Sequence, residues 1–172
     1  MEAVIVSIIC ITLVVFGGMT MSQGFFTSVD ASTSGLERMS SLGEDIMRTE
    51  MATVNASMPS ANTLYIRLTN NGQTKVADFS KWDVIVQYYD STGTYYVKWL
   101  PYNEGALGND EWQKSRIYLA GGQPEVFDPD IVNPGETIEI EAKLDPAVGS
   151  GTTNMAVVST PNGIPASAYF SR

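Results

Sequence analysis

Histidine is absent from this chain of 172 residues, and Cys10 is its only cysteine. These absences exclude zinc sites built on Cys and His, intrachain disulfides, Ser-His-Asp or Cys-His nucleophilic machinery and a histidine pH switch. Positive charge is scarce, with 10 Lys+Arg against 19 Asp+Glu for a net charge of −9. The few basic residues are scattered, whereas binding to nucleic acid needs them clustered, so no nucleic-acid partner is expected. Charged residues make up only 17% of the chain, below the quarter or so usual for soluble domains. No GxxxxGK[ST] segment is present, so the chain has no phosphate-binding loop of that kind. At 18.7 kDa it has room for one ordinary domain and an appendage.

What is present begins at the front. Between Ala3 and Val29 no residue is charged, and 14 of the 19 residues from Ala3 to Met21 are apolar. A helix of 27 such residues would be roughly 40 Å long, enough to cross a bilayer core of about 30 Å. Val4, Ile5, Ile8, Ile9, Ile11, Leu13, Val15 and Phe16 leave no polar face for water. Cys10, within this run, reads as a small hydrophobe. No Lys or Arg precedes the run, Glu2 stands where a secretory signal would carry positive charge, and the first basic residue is Arg38.

The helical period continues past the apolar run. Leu36, Met39, Leu42, Ile46, Met47, Met51, Val54 and Met58 recur at steps of three and four, a stripe suited to packing against other helices. Glu44 and Arg48 are spaced for an i,i+4 pair. Residues 1–58 are therefore expected to form one long helix, closed by Pro59, with Gly17, Gly18, Gly24, Gly35 and Gly43 allowing close approach of neighbouring helices or local kinks.

From Asn62 onward the period changes to two. Leu64, Ile66 and Leu68 alternate with Tyr65, Arg67 and Thr69 before an Asn70-Asn71-Gly72 turn. Strands are expected at Trp82–Tyr89, Tyr95–Leu100, Thr137–Leu144, Ile117–Leu119, Met155–Thr160 and Ala166–Phe170, with Tyr102–Gln123 as a long surface loop. Residues 59–172 thus read as an antiparallel, immunoglobulin-like β-sandwich. The fold class is α+β, a long N-terminal helix with an apolar tip followed by a sandwich.

Few constellations carry chemistry. Asp128 and Asp130, with Asn133 and Glu136 near them, present oxygens that suit a structural calcium ion, although Asp-rich loops are more often plain turns. Asp110-Glu111 is a weaker version of the same pattern, and no carboxylate pair points to a glycosidase. Trp82, Trp99 and Trp112 fit core or subunit contacts better than a sugar platform. Asn55-Ala56-Ser57 is a glycosylation sequon, with Asn55 as the acceptor. No catalytic residue and no cofactor are expected, and the chain does not read as an enzyme.

The uncharged run from Ala3 to Phe26, its amphipathic continuation to Met58, and the segments Leu64–Gly72, Val132–Ile138 and Val158–Ile164 together resemble the type IV filament superfamily. Within it the chain resembles archaellins, the subunits of the archaeal swimming filament. Bacterial type IV pilins usually carry glutamate at the fifth mature position. Here that position, counted from Met1, is Ile5, which turns the resemblance toward archaellins and leaves Glu2 to meet its own or a neighbouring terminal amine. The resemblance implies a short basic leader removed by a dedicated peptidase, membrane residence before assembly, and a helical homopolymer on the cell surface. It also implies an assembly ATPase and a membrane platform protein as partners. The alternative is a membrane-anchored accessory or stator protein of the same machinery, whose sandwich binds the cell envelope. A carbohydrate-binding adhesin is a third reading, resting on the aromatics and the acidic loop.

Overall fold

The computed structural model describes every residue from Met1 to Arg172. The chain divides into two compact units, Met1–Gly43 and Glu44–Arg172.

The first unit is a single helix, the greater part of α1 (Glu2–Arg48). Its charge-free segment reaches a mean hydropathy of 2.5. Glu2 occupies the first turn and Arg48 the last, each matching the sign of the helix dipole there. The five glycines do not break it, since Ala, Ile, Leu and Met around them are adequate helix formers.

The helix is shorter than the periodicity predicts. It ends at Arg48, and Met51–Ser57 is strand β1, not a further stretch of helix. Thr49 closes the last turn, its N–H donating to the Ile46 carbonyl at 3.2 Å and its hydroxyl to the Asp45 carbonyl at 2.7 Å. Beyond it Thr53 and Val54 are β-branched and favour extended backbone, and pairing with β2 satisfies the β1 amides that a helix would otherwise bond. Met51, which continued the helical stripe, is instead buried in the sandwich core. Steps of three and four could not distinguish the two states over so short a stretch.

In the second unit, eight strands form two four-stranded antiparallel sheets. One has the order β1 (Met51–Ser57), β2 (Thr63–Asn70), β6 (Thr137–Lys143), β5 (Glu111–Tyr118). The other has the order β4 (Tyr95–Leu100), β3 (Asp83–Tyr89), β7 (Thr153–Ser159), β8 (Pro165–Ser171). Alternation places Leu64, Ile66 and Leu68 opposite Ala142, Ile140 and Ile138 on one inner face. Val84, Val86 and Tyr88 of β3, Ala156 and Val158 of β7 and Phe170 of β8 fill the other. The expected Tyr102–Gln123 loop is partly strand, because β5 inserts Trp112 and Ile117 into the core and pairs with β6.

Each sheet edge is guarded in a different way. β1 carries a bulge between Thr53 and Asn55, and β5 one between Lys114 and Arg116. On β4 the Lys98 ammonium turns inward to Asp110 at 2.5 Å. β8 begins at Pro165, and its Ser167 carbonyl accepts the Thr53 hydroxyl at 2.8 Å. Such features prevent a further strand from adding on.

Candidate assembly surface

Up to Met47, every residue expected to pack helix on helix lies on α1 and faces solvent within the single chain. That holds for Val4, Ile5, Ile8, Ile9, Ile11, Leu13, Val15 and Phe16 at the tip and for Leu36, Met39, Leu42 and Ile46 further along; even Ile46, the least exposed of them, is 44% accessible. No residue of the helix is buried. A surface this apolar and this large is not tolerated in water, and it requires lipid or other protein.

The polar residues of the helix are arranged for such surroundings. Ser7, Thr12, Thr20 and Thr27 each donate their hydroxyl to a carbonyl one turn earlier, those of Ala3, Ile8, Gly17 and Gln23, at 2.8–2.9 Å. Ser32 and Ser41 do the same toward Ser28 and Arg38. These six hydroxyl donors therefore have their partners inside the helix and enter a dry environment without being stranded. A Cβ added at Gly17, Gly18, Gly24 or Gly35 would meet nothing within 4 Å, so these positions are shallow notches open to a neighbour. Toward the end of the helix charge returns, and Arg48 pairs with Glu44 at 3.1 Å as its spacing predicts.

The remaining candidates fall elsewhere. Asn55 is exposed at the β1 bulge, beside a shallow depression of about 310 Å³ lined by Ser57, Pro59, Tyr65, Arg67 and Glu139. Asp128 and Asp130 do not form the expected oxygen cage. Asp130 pairs with Lys114 at 2.6 Å, and no three His, Cys, Asp or Glu side chains converge anywhere in the chain. The two carboxylates lie in a loop whose turns are bonded by Glu125 and Glu136 instead. Asp110 and Glu111 are likewise structural: Asp110 bridges Lys98 and the Asp145 amide, and Glu111 accepts from Asn103 and Gly108. Of the three tryptophans, Trp82 and Trp112 are core and Trp99 is exposed. The sequence reading missed Val126 and Phe127, which project from a turn at 76% and 92% exposure. The signal for them was an apolar pair set between Pro124 and Pro129, with no strand alternation around it.

Comparison with known proteins agrees with this architecture. The archaellum periplasmic stator protein FlaG from Sulfolobus acidocaldarius is 21% identical, with a TM-score of 0.52 over 71% of this chain and 99% of that one. The same organism's FlaF and FlaG stator complex gives a match of 21% identity and TM-score 0.52, over 71% of this chain and 89% of that one. Archaeal flagellin FlaB1 from Methanocaldococcus jannaschii is 11% identical, with a TM-score of 0.51 over 72% of this chain and 89% of that one. At such identities the likeness is one of fold. A search of curated protein sequences finds no match. The archaeal-type flagellin family, by contrast, matches residues 1–170. A long apolar helix with no buried residue, joined to an antiparallel sandwich, and a family match along nearly the whole length lead to one conclusion: this chain belongs to the archaeal-type flagellins, a family of structural filament proteins.

Proposed function

We propose that this chain is a subunit of an extracellular helical filament of the archaellum type and that it polymerises through α1. The observation that carries the reading is an apolar helix with none of its residues buried, in which Ser7, Thr12 and Thr20 already bond to the helix's own carbonyls. Before assembly the run from Ala3 to Phe26 resides in the membrane. In the filament the same surface packs against copies of itself. At about 25 cal/mol per Å² of apolar area, a helix of this size supplies tens of kcal/mol gross per subunit, much of it offset by the loss of freedom on association. The contact is head-to-side, so that it propagates as an open helix.

The sandwich forms the outer shell. Its acidic surface keeps filaments apart and soluble, and Asn55, exposed on an edge strand, is a position where a glycan would project outward. Processing by a leader peptidase and extraction from the membrane by an ATPase and a platform protein complete the reading.

A second reading is an accessory protein that stays in the membrane while its sandwich binds the envelope. The fold it shares with a stator protein favours that reading. Negative-stain microscopy of sheared cell-surface material, with mass spectrometry of the filaments, separates the two. A subunit is a major component of the filaments; an accessory protein remains with the membranes.

A further inference from the structure

The two outer faces of the sandwich differ in kind. On the β1-β2-β6-β5 sheet the outward side chains are polar and paired across strands, Arg67 with Glu139 at 2.6 Å and Gln113 with Glu141 at 2.9 Å. On the β4-β3-β7-β8 sheet the register aligns Trp99 with Ile85 and Val157 in one row, and Val97 with Gln87, Met155 and Tyr169 in the next. Tyr95 and Tyr89 close the patch, their rings 5.0 Å apart. Asp83 stands in the adjoining row, opposite Ser159, and accepts the Trp99 indole N–H at 2.9 Å. Gln87 likewise accepts the Tyr95 hydroxyl at 2.9 Å, so both rings are held in place.

A second unpartnered apolar feature lies elsewhere on the same sandwich. Val126 and Phe127 stand out from the segment that follows β5. The Glu125 carboxylate accepts the N–H groups of Val126, Phe127 and Asp128 at 2.8, 2.6 and 3.2 Å. Three bonds to one oxygen pin the turn with its two apolar side chains pointing outward.

We propose that the Val126–Phe127 turn of one copy docks on the Tyr95–Trp99 face of a second copy. The inference rests on the polymer reading and adds to it a contact outside the helix. Four observations select a second copy as occupant. The guarded edges prevent copies from joining strand to strand. With a net charge of −9, identical chains repel wherever their acidic residues meet, and this face brings almost none. At roughly 150–250 Å² per aromatic side chain, the exposed parts of Tyr89, Tyr95, Trp99 and Tyr169 amount to on the order of 450 Å². That is more than half of the roughly 800 Å² each partner gives to a standard interface. The turn and the face also occupy different places on one sandwich, which makes the contact heterologous and able to repeat along a filament.

Photo-crosslinking in producing cells tests this. The full-length chain would carry benzoylphenylalanine at position 127, co-expressed with an epitope-tagged copy that lacks it. The expected product is a dimer containing the tagged copy, its link mapped to β3, β4, β7 or β8. The paired substitution Trp99→Ser and Tyr169→Ser in the tagged copy should lower the yield about tenfold. A link to another surface of the second copy, to a different protein or to a glycan, or no link at all, overturns the contact. Filaments seen by microscopy without the link reject this contact and leave the polymer reading standing. The link in membranes that bear no filaments rejects the polymer reading and keeps the contact.

Discussion

Asn162 donates an amide N–H to the Thr49 hydroxyl at 2.8 Å, joining the turn between β7 and β8 to the residue just past the end of α1. Thr49 is almost fully buried and has one hydroxyl proton, which it gives to the Asp45 carbonyl; it then accepts from Asn162 and from Thr74, 2.6 Å away. Removing Asn162 costs Thr49 one of its two donors, and removing the Thr49 hydroxyl strips Asn162 and Thr74 of their shared acceptor. Asn162→Ala and Thr49→Val should each destabilise the Glu44–Arg172 unit by about 1–2 kcal/mol. The double variant should cost less than their sum. Denaturant unfolding followed by tryptophan fluorescence reads this directly, and strict additivity would show the bond to be idle.

The packing stripe and the membrane run should respond differently to a buried charge. Val14→Asp should cost about 3 kcal/mol in lipid and at least as much in a dry filament core, so the chain is lost from both. Leu42→Asp lies beyond the apolar run and should abolish filaments while the chain still fractionates with membranes. Filaments that persist with Leu42→Asp would refute the role given to the stripe.

Tyr88 is fully buried, and its hydroxyl has no hydrogen-bond partner. Burial pushes its phenol well above the ordinary range. The hydroxyl therefore lost its hydration on folding without compensation. Tyr88→Phe keeps the stacking on Tyr96, with ring centroids 5.5 Å apart, and should leave stability unchanged or raise it by about 1 kcal/mol. A loss of more than about 1 kcal/mol in thermal unfolding would mean that the hydroxyl is bonded after all.

The turn that presents Phe127 should be sensitive to acid. Hydrogen bonds from the Phe127 and Asp128 amides hold the Glu125 carboxyl below its ordinary value of 4.5. A depressed folded value means that the stabilisation is present above the unfolded value and fades as the pH falls through the folded one. Amide exchange at Val126 and Phe127 should thus be slow, relative to the intrinsic rate, above about pH 5 and should quicken as Glu125 protonates. Glu125→Gln should remove that acid dependence.

Gly72 should tolerate no side chain. A Cβ there would lie 2.5 Å from the Arg48 carbonyl oxygen and from the Glu50 nitrogen, both main-chain atoms. The close approach lets Gly72 and Gln73 donate to the Glu50 and Arg48 carbonyls. Gly72→Ala should cost about 2 kcal/mol or more, measured as a lower unfolding midpoint.

Most of this architecture is legible in the residues. Thr137–Leu144 alternates cleanly because one of its faces meets the core and the other meets water. The charge-free run declares itself by length alone. The end of the helix is less legible, since Met51, Val54 and Met58 satisfy a helical spacing while Thr49 and the β1–β2 pairing decide the outcome through distant residues. The same applies to β5, where Glu111–Tyr118 has too few apolar residues to alternate visibly and gains its strand by pairing with β6. The surface around Trp99 is invisible in sequence for a further reason. An outward aromatic on a strand is distinguished from an inward one only by knowing which neighbours share its side of the sheet.

The guarded edges have a bearing on crowding. At high local concentration, exposed strand borders invite cross-β stacking into amyloid. With bulges on β1 and β5, Lys98 turned inward on β4 and Pro165 opening β8, that route is closed at all four borders. Misassembled material should accordingly fail to bind thioflavin T, because the one growth route that needs no specific contact has been shut at the sheet borders.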